Sequence, residues 1–245
     1  MTAEAASSAI PVPPAHLRTR VTGVEDEGMF QFFGRRISGE IRALFDTAGL
    51  PFGAPGQKIL DFGCGCARVL RHVMPEADQA RFHGVDVDVQ AIDWCRVHLA
   101  DSAEFTVTGR RPPLPFDDAS IDVVYGVSVF SHIPEDDQRA WLAEFTRVLT
   151  PGGILLLSVN GAAVARMATT PVREQLGTEG IAYVHDGGIP GLPDWYQMCF
   201  HTREHVEQNW PTARLRIMSY TENAIMMCQD AVLLRKAGGD REEIR

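Results

Sequence analysis

At 245 residues and 45% apolar content the chain can bury one sizeable core with an appended cap, and no apolar run reaches the ~20 residues that cross a bilayer. The net charge is −9, from 23 basic and 32 acidic residues, and the cations are scattered. That argues against a nucleic-acid partner, because neutralising a phosphate backbone needs clustered Lys and Arg. Five cysteines (Cys64, Cys66, Cys95, Cys199, Cys228) are odd in number and unframed, as expected of a reduced, cytoplasmic protein, and the N-terminus lacks a charged-then-apolar leader pattern.

In chain order, residues 1–15 are rich in Ala and Ser with three prolines and read as a tail draped on the surface. From Glu27 to Leu50 the positions Phe30, Phe33, Ile37, Ile41, Leu44 and Phe45 recur every three or four residues, predicting an amphipathic helix, interrupted near Ser38-Gly39 and ending at Gly49. The expected division is residues 1–50 as tail and helical cap and 51–245 as the main domain, with a lid insertion near 177–210.

The core begins at Gln57–Val73, QKILDFGCGCARVLRHV. Ile59, Leu60 and Phe62 form a short apolar run, Gly63-Cys64-Gly65 breaks it, and Val69, Leu70 and Val73 return at helical spacing. This is strand, glycine turn, helix, the opening of an α/β nucleotide-binding unit. A dinucleotide fingerprint wants a third glycine where Arg68 stands, and no Gly-Lys-Ser/Thr run follows for a P-loop. An acid, Asp61, closes the strand instead, suiting a cationic amine better than a pyrophosphate. A second acid, Asp86, closes the next apolar stretch 21 residues after Gly65, about where a ribose hydroxyl is bound. One carboxylate for an amine and one for a ribose describes S-adenosylmethionine (SAM). Cys64-x-Cys66 has no second Cys or His pair at ligand spacing, so no metal is expected.

A helix over Ala67–Met74, a strand over Arg81–Val85, a helix capped by Asp88, a strand at Phe105 and Val107, and a strand over Ile121–Tyr125 follow. Pro134, followed by three acids, starts a helix carrying Trp141, Leu142, Phe145, Val148 and Leu149, and Ile154–Val159 is apolar throughout, a strand buried on both faces. Beyond it come a helical stretch from Ala162 to Leu176 disturbed by Pro171, a glycine-rich loop over Gly177–Pro193, and the aromatic segment Asp194–His201. Thr202 caps a short helix to Trp210, and Arg214–Tyr220 and Ala231–Leu234 close the chain as strands.

DFGCGC, VDVD, Pro112–Ile133 and Phe145–Gly161 stand in the order and at the separations of the class I SAM-dependent methyltransferases, which the sequence resembles from Gln57 to Asn160. The resemblance implies a three-layer, doubly wound α/β fold: a seven-stranded sheet, mostly parallel with an antiparallel C-terminal strand, plus a small cap. It implies a cofactor site at Asp61, Gly63, Cys64, Gly65, Asp86, Val87, Leu114, Gly126 and Ser128, with Val87 and Leu114 on the two adenine faces. The expected activity is methyl transfer to a small-molecule acceptor by a monomer or homodimer. Two alternatives are a SAM-utilising enzyme of other chemistry, such as attack within the methionyl chain, and a non-catalytic SAM-binding protein. Where the acceptor must lose a proton, His132, at the mouth of the sheet, is the leading base. Tyr196, His201 and His185 are further candidates. Phe30, Phe33 and Tyr196 are the expected acceptor-pocket residues.

Overall fold

The computed structural model describes residues 10–77, 79–185 and 190–238. Most of the expected tail, and four residues of the expected glycine-rich loop, lie outside that range. The sheet is built from β1 (Lys58–Phe62), β2 (Arg81–Asp86), β3 (Glu104–Val107), β4 (Ile121–Gly126), β5 (Leu149–Val159), β8 (Leu215–Ile225) and β9 (Gln229–Lys236). Its seven strands run in the order β3-β2-β1-β4-β5-β9-β8. The first five are mutually parallel and β9 alone runs against its two neighbours, as expected from the sequence.

Alternation along the central strands sets the three layers. Ile59, Val123, Leu156 and Leu233 join one apolar cluster with α2 (Glu27–Thr47), α3 (Leu70–Val73) and α4 (Val89–His98). Leu60, Val124, Leu155, Leu157 and Val232 join the opposite one with Trp141 and Phe145 of α5 (Glu135–Val148) and Val206 of α8 (Arg203–Asn209). Adjacent residues of one strand thus feed different layers, as the pleat requires.

Three local features depart from expectation, while the expected interruption near Pro171 is present. The helix α2 runs unbroken through Ser38-Gly39, because Ile37, Ile41 and Phe45 bury one face and that outweighs the ~1 kcal/mol a mid-helix glycine costs. The helix expected from Ala67 starts only at Leu70, since Ala67 itself is left-handed (φ +61°). Pro171 sits in the first turn of α7 (Thr170–Glu179), so the stretch from Ala162 splits into α6 (Ala162–Ala165) and α7. The expected 177–193 loop contains β6 (Ile181–Val184), paired antiparallel with β7 (Met198–His201). A further helix, α1 (Ala15–Thr22), which the sequence did not suggest, begins at the last residue of the expected tail.

One ion pair ties α1 to the sheet. Asp88 Oδ1 caps α4 by accepting from the N–H groups of Gln90 and Ala91, and Arg20 Nη1 lies 2.7 Å from its Oδ2. Asp88→Ala should therefore cost about 1–3 kcal/mol in urea unfolding, more than a cap alone, while Arg20→Ala should cost less because the cap survives.

Candidate functional site

The parallel strands all present their C-terminal ends on one edge, the place where open α/β sheets hold ligands. A cavity of about 460 Å³ lies there, lined by the residues just after β1 (Gly63, Gly65), β2 (Val87, Asp88), β3 (Thr108, Gly109) and β4 (Val127, Ser128). Gly63 and Gly65 have φ of +77° and +52°. A Cβ on Gly63 would come within 2.2 Å of Val129 Cγ2, and one on Gly65 within 2.5 Å of Val21 Cγ1. The turn is therefore glycine both for its backbone angles and for its neighbours. Asp86 also lines the cavity; its Oδ2 accepts from the Gly65 N–H at 2.7 Å and its Oδ1 from the Asp88 N–H at 2.8 Å.

Burial dominates the electrostatics. Asp61 is 3% exposed and accepts a hydrogen bond at 2.9 Å from Tyr125 Oη, its register neighbour on β4. Desolvation raises its pKa to about 7 against that hydrogen bond, with the Asp86 charge adding to the rise and Arg68 opposing it. Burial raises Asp86 as well, opposed by its backbone hydrogen bonds. The Thr108 hydroxyl is buried without a hydrogen-bond partner among the described residues, a polar atom that a ligand in the cavity would satisfy. Two acids, an orphaned hydroxyl and a glycine cradle fit a nucleoside carrying an amino-acid tail, which is what SAM is.

The opposite wall comes from the second half of the chain. His132, Trp195 and Tyr196 all line the cavity, with Pro190 and Leu192 beside them. The His132 and Tyr196 rings stack at 4.2 Å and 15°. Tyr196 Oη donates to the Ser128 carbonyl at 3.3 Å, His132 Nδ1 lies 3.1 Å from the Gln197 carbonyl, and the Cys199 N–H donates to the Ser131 carbonyl at 2.7 Å. Residues 196–199 are thus bonded along the loop after β4. Arg110 stacks over Trp195 at 5.5 Å and pairs with the fully buried Asp137, which Arg111 shares.

Of the residues singled out from the sequence, Gly63, Gly65, Asp86, Val87, Ser128, His132 and Tyr196 meet at this cavity. Others lie off its wall. Asp61, Cys64 and Gly126 sit just beneath, with Cys64 buried and Gly126 closed over by Leu157 and Phe62. Leu114 packs into the α5 layer, its N–H bonded to Glu144. Phe30 is fully buried with Leu17, Cys66 and Ala91, its ring under the Arg71 guanidinium, and Phe33 packs near Phe32. His201 is buried and bonded to Gln138 Oε1 at 3.0 Å; desolvation lowers its pKa to about 3. His185 is exposed beside Tyr183. Sequence reasoning missed Thr19, Arg20 and Val21 of α1, and Trp141, as lining residues. Thr108 also lines the cavity, directly after β3, where the resemblance puts a polar contact to the adenine amine.

Residues 59–153 match the methyltransferase domain family. The chain is 34% identical over 106 residues to a malonyl-[acyl-carrier protein] O-methyltransferase of Hahella chejuensis, covering 43% of this chain and 37% of that protein. It is 33% identical over 126 residues to the phthiotriol/phenolphthiotriol dimycocerosates methyltransferase of Mycobacterium tuberculosis, covering 49% and 46%. The chain thus spans less than half the length of these curated relatives. Among solved structures, an S-adenosylmethionine-dependent methyltransferase from Clostridium acetobutylicum superposes with a TM-score of 0.58 at 13% identity, over 84% of this chain and 92% of that one. A geranyl diphosphate C-methyltransferase from Streptomyces coelicolor A3(2), solved with S-adenosyl-L-homocysteine, gives 0.57 at 13% identity, over 82% and 76%. The matched segment, the strand order and the glycine turn agree: residues 59–153 match a methyltransferase domain, and the chain has the class I SAM-dependent methyltransferase fold.

Proposed function

We propose that the protein transfers a methyl group from SAM to a small-molecule acceptor in the cytoplasm. The observation that carries the reading is the cavity itself, where a carboxylate (Asp86), an unsatisfied hydroxyl (Thr108) and a side-chain-free turn converge at the C-terminal edge of the sheet. Asp86 would hold the ribose, Val87 and Thr108 the base, and Asp61 the amine. The curated relatives named above are named for malonyl-[acyl-carrier protein] and for phthiotriol/phenolphthiotriol dimycocerosates, which supports an acceptor other than nucleic acid.

SAM supplies an electrophilic methyl on a sulfonium, so the protein's own task is orientation and exclusion of water. Tyr196 and Trp195 serve the second task as an aromatic wall. His132 serves as the base for an acceptor that must lose a proton. Its Nδ1 faces a carbonyl oxygen and so carries the ring proton, which makes Nε2 the basic nitrogen. Tyr196 holds the His132 ring by stacking, and burial pushes its own phenol well above the ordinary value, so it acts as a neutral donor.

Incubation with SAM and a panel of small acceptors should yield S-adenosylhomocysteine. Methylthioadenosine in its place would mean that the methionyl chain, and not the methyl group, is transferred. His132→Gln should lower turnover on hydroxyl acceptors by about 10²–10⁴-fold while SAM affinity stays within a few-fold, whereas Tyr196→Phe, which keeps the ring, should change turnover far less. Asp86→Ala should weaken SAM by about 1.5–3 kcal/mol in calorimetry.

The Asp61 pKa gives a pH signature. A proton and the cofactor's ammonium compete for this carboxylate, so SAM affinity should fall by about tenfold per pH unit below about 7 and level off above it. The ligand-free protein runs the other way. With the folded pKa raised, stability is fully present below about pH 4 and is lost as pH rises through about 7. Asp61→Asn should flatten both curves, raising thermal stability at pH 8 by on the order of 1–3 kcal/mol while weakening SAM.

A further inference from the structure

The loop after β3 carries two consecutive arginines, and one carboxylate holds both. Asp137, in the first turn of α5, is fully buried; its Oδ2 accepts from Arg110 Nε at 2.5 Å and its Oδ1 from Arg111 Nε. Two cations on one anion leave the cluster with one surplus positive charge. Each guanidinium spends only its Nε on Asp137, so both Nη groups of Arg110 have no hydrogen-bond partner among the described residues. The two arginines differ in place. Arg110 lines the cavity and its guanidinium lies 5.5 Å over the Trp195 ring, whereas Arg111 is not a lining residue and its side chain is 62% exposed. The Arg110 carbonyl also accepts from Trp141 Nε1 at 3.0 Å, so backbone, Nε and ring face are all fixed while the Nη edge is unspent. Arg20, another cation on the wall, has its Nη1 on Asp88 and its Nη2 on Gln90.

The neighbourhood selects what that edge takes. An adenine amine is a donor and a guanidinium has no acceptor, so Arg110 cannot partner it as the Thr108 hydroxyl can. On its other side Arg110 opens a continuous wall. Trp195 lies beneath its guanidinium, the Trp195 and Tyr196 rings stand 6.2 Å apart, and Tyr196 stacks on His132 at 4.2 Å. A ligand laid along this wall meets a cation at one end, two aromatic faces, and an imidazole at the other end. One surplus charge suits a monoanion, whereas a phosphate dianion would stay undercompensated beside the buried Asp137. The paired Nη donors of a guanidinium also match a carboxylate bidentately, which a lysine would not.

We propose that the methyl acceptor is a carboxylic acid, anchored by its carboxylate on Arg110, with its apolar or aromatic body on Trp195 and Tyr196 and the atom to be methylated at the His132 end. The inference rests on the methyl-transfer reading above and deepens it by naming the acceptor class. It also gives a role to Asp137, which holds Arg110 in place from outside the cavity.

The test is calorimetry on the full chain loaded with S-adenosylhomocysteine, titrated with a panel of hydroxyphenyl and alkyl carboxylic acids and with their primary amides. At least one acid should bind about 10–100-fold tighter than its amide. Arg110→Gln should abolish that preference while keeping S-adenosylhomocysteine affinity within a few-fold, and Arg110→Lys should recover part of it. Arg111→Gln removes the other half of the same cluster and should keep the preference, because Arg111 does not line the cavity. The inference alone is overturned if no acid of the panel outbinds its amide, or if the preference survives in Arg110→Gln. It is equally overturned if Arg111→Gln removes the preference as fully, or if Arg110→Gln loses S-adenosylhomocysteine as well. An unaltered protein that does not bind S-adenosylhomocysteine overturns the SAM reading, and this inference with it.

Discussion

Two positions without a side chain govern how closely this protein can wrap around its cavity. At Gly63 the loop after β4 presses Val129 to within a bond length or two of where a Cβ would stand, and at Gly65 the N-terminal helix does the same with Val21. The turn is therefore a three-way junction, with β1 entering, one wall leaning on its first glycine and another on its second. Asp86 locks it by accepting from the Gly65 N–H, so a carboxylate that lines the cavity also fixes the backbone that lines it. A methyl group at either glycine would displace a wall, not merely strain a dihedral angle, and the neighbouring strands carry no slack to absorb it.

The electrostatic arrangement follows the same economy of space. Although the chain is acidic overall, its buried acids each have a defined tie. Asp61 lies beside the Tyr125 hydroxyl, Asp86 beside two backbone N–H groups, Asp88 beside Arg20, and Asp137 under two arginines. Asp137 does not line the cavity itself but anchors Arg110, which covers Trp195, and so it reaches the cavity wall through one intermediary. Asp61 differs from the rest. A neutral phenol is its one side-chain hydrogen-bond donor among the described residues, and burial raises its pKa to about 7. This is the profile of a group that finds its proper charge partner only in a ligand.

Much of the fold was legible because its signals are local. The apolar run and glycines at 59–65, the acid ending each of the first two strands, the Pro-led start of α5 and the unbroken apolar β5 each declare themselves within a dozen residues. What could not be read depends on distant partners. Helix α1 has little amphipathic pattern and is held by Val21 on Gly65 and Arg20 on Asp88. Phe30 shares the stripe of α2 with Ile37 and Ile41, and nothing in that spacing says that it meets Cys66 and Arg71 instead of a ligand. His201 looked reactive in a segment rich in polar and aromatic groups, but β7 turns it inward, where it bonds to Gln138. The β6–β7 pair hid in a glycine-rich stretch because four residues are too few to show alternation. At the site, the half contributed by the sheet could be named residue by residue, and the half contributed by α1 could not.

That division has a consequence for how the molecule comes together. The floor of the cavity is formed by strands adjacent in sequence, β1 to β4, whereas its roof joins α1, near one end of the chain, to residues 190–196, some 170 positions later. Few buried apolar groups hold the roof, beyond Leu17 beneath α1 and the aromatic stack at Tyr196. Its amides belong to the part of a protein that opens first in native-state hydrogen exchange, well before the sheet releases any of its own. A ligand filling the cavity touches floor and roof together, and so it splices the two into a single cooperative unit. Occupancy would then be written as slowed exchange in two stretches of backbone that are neighbours only across the bound molecule.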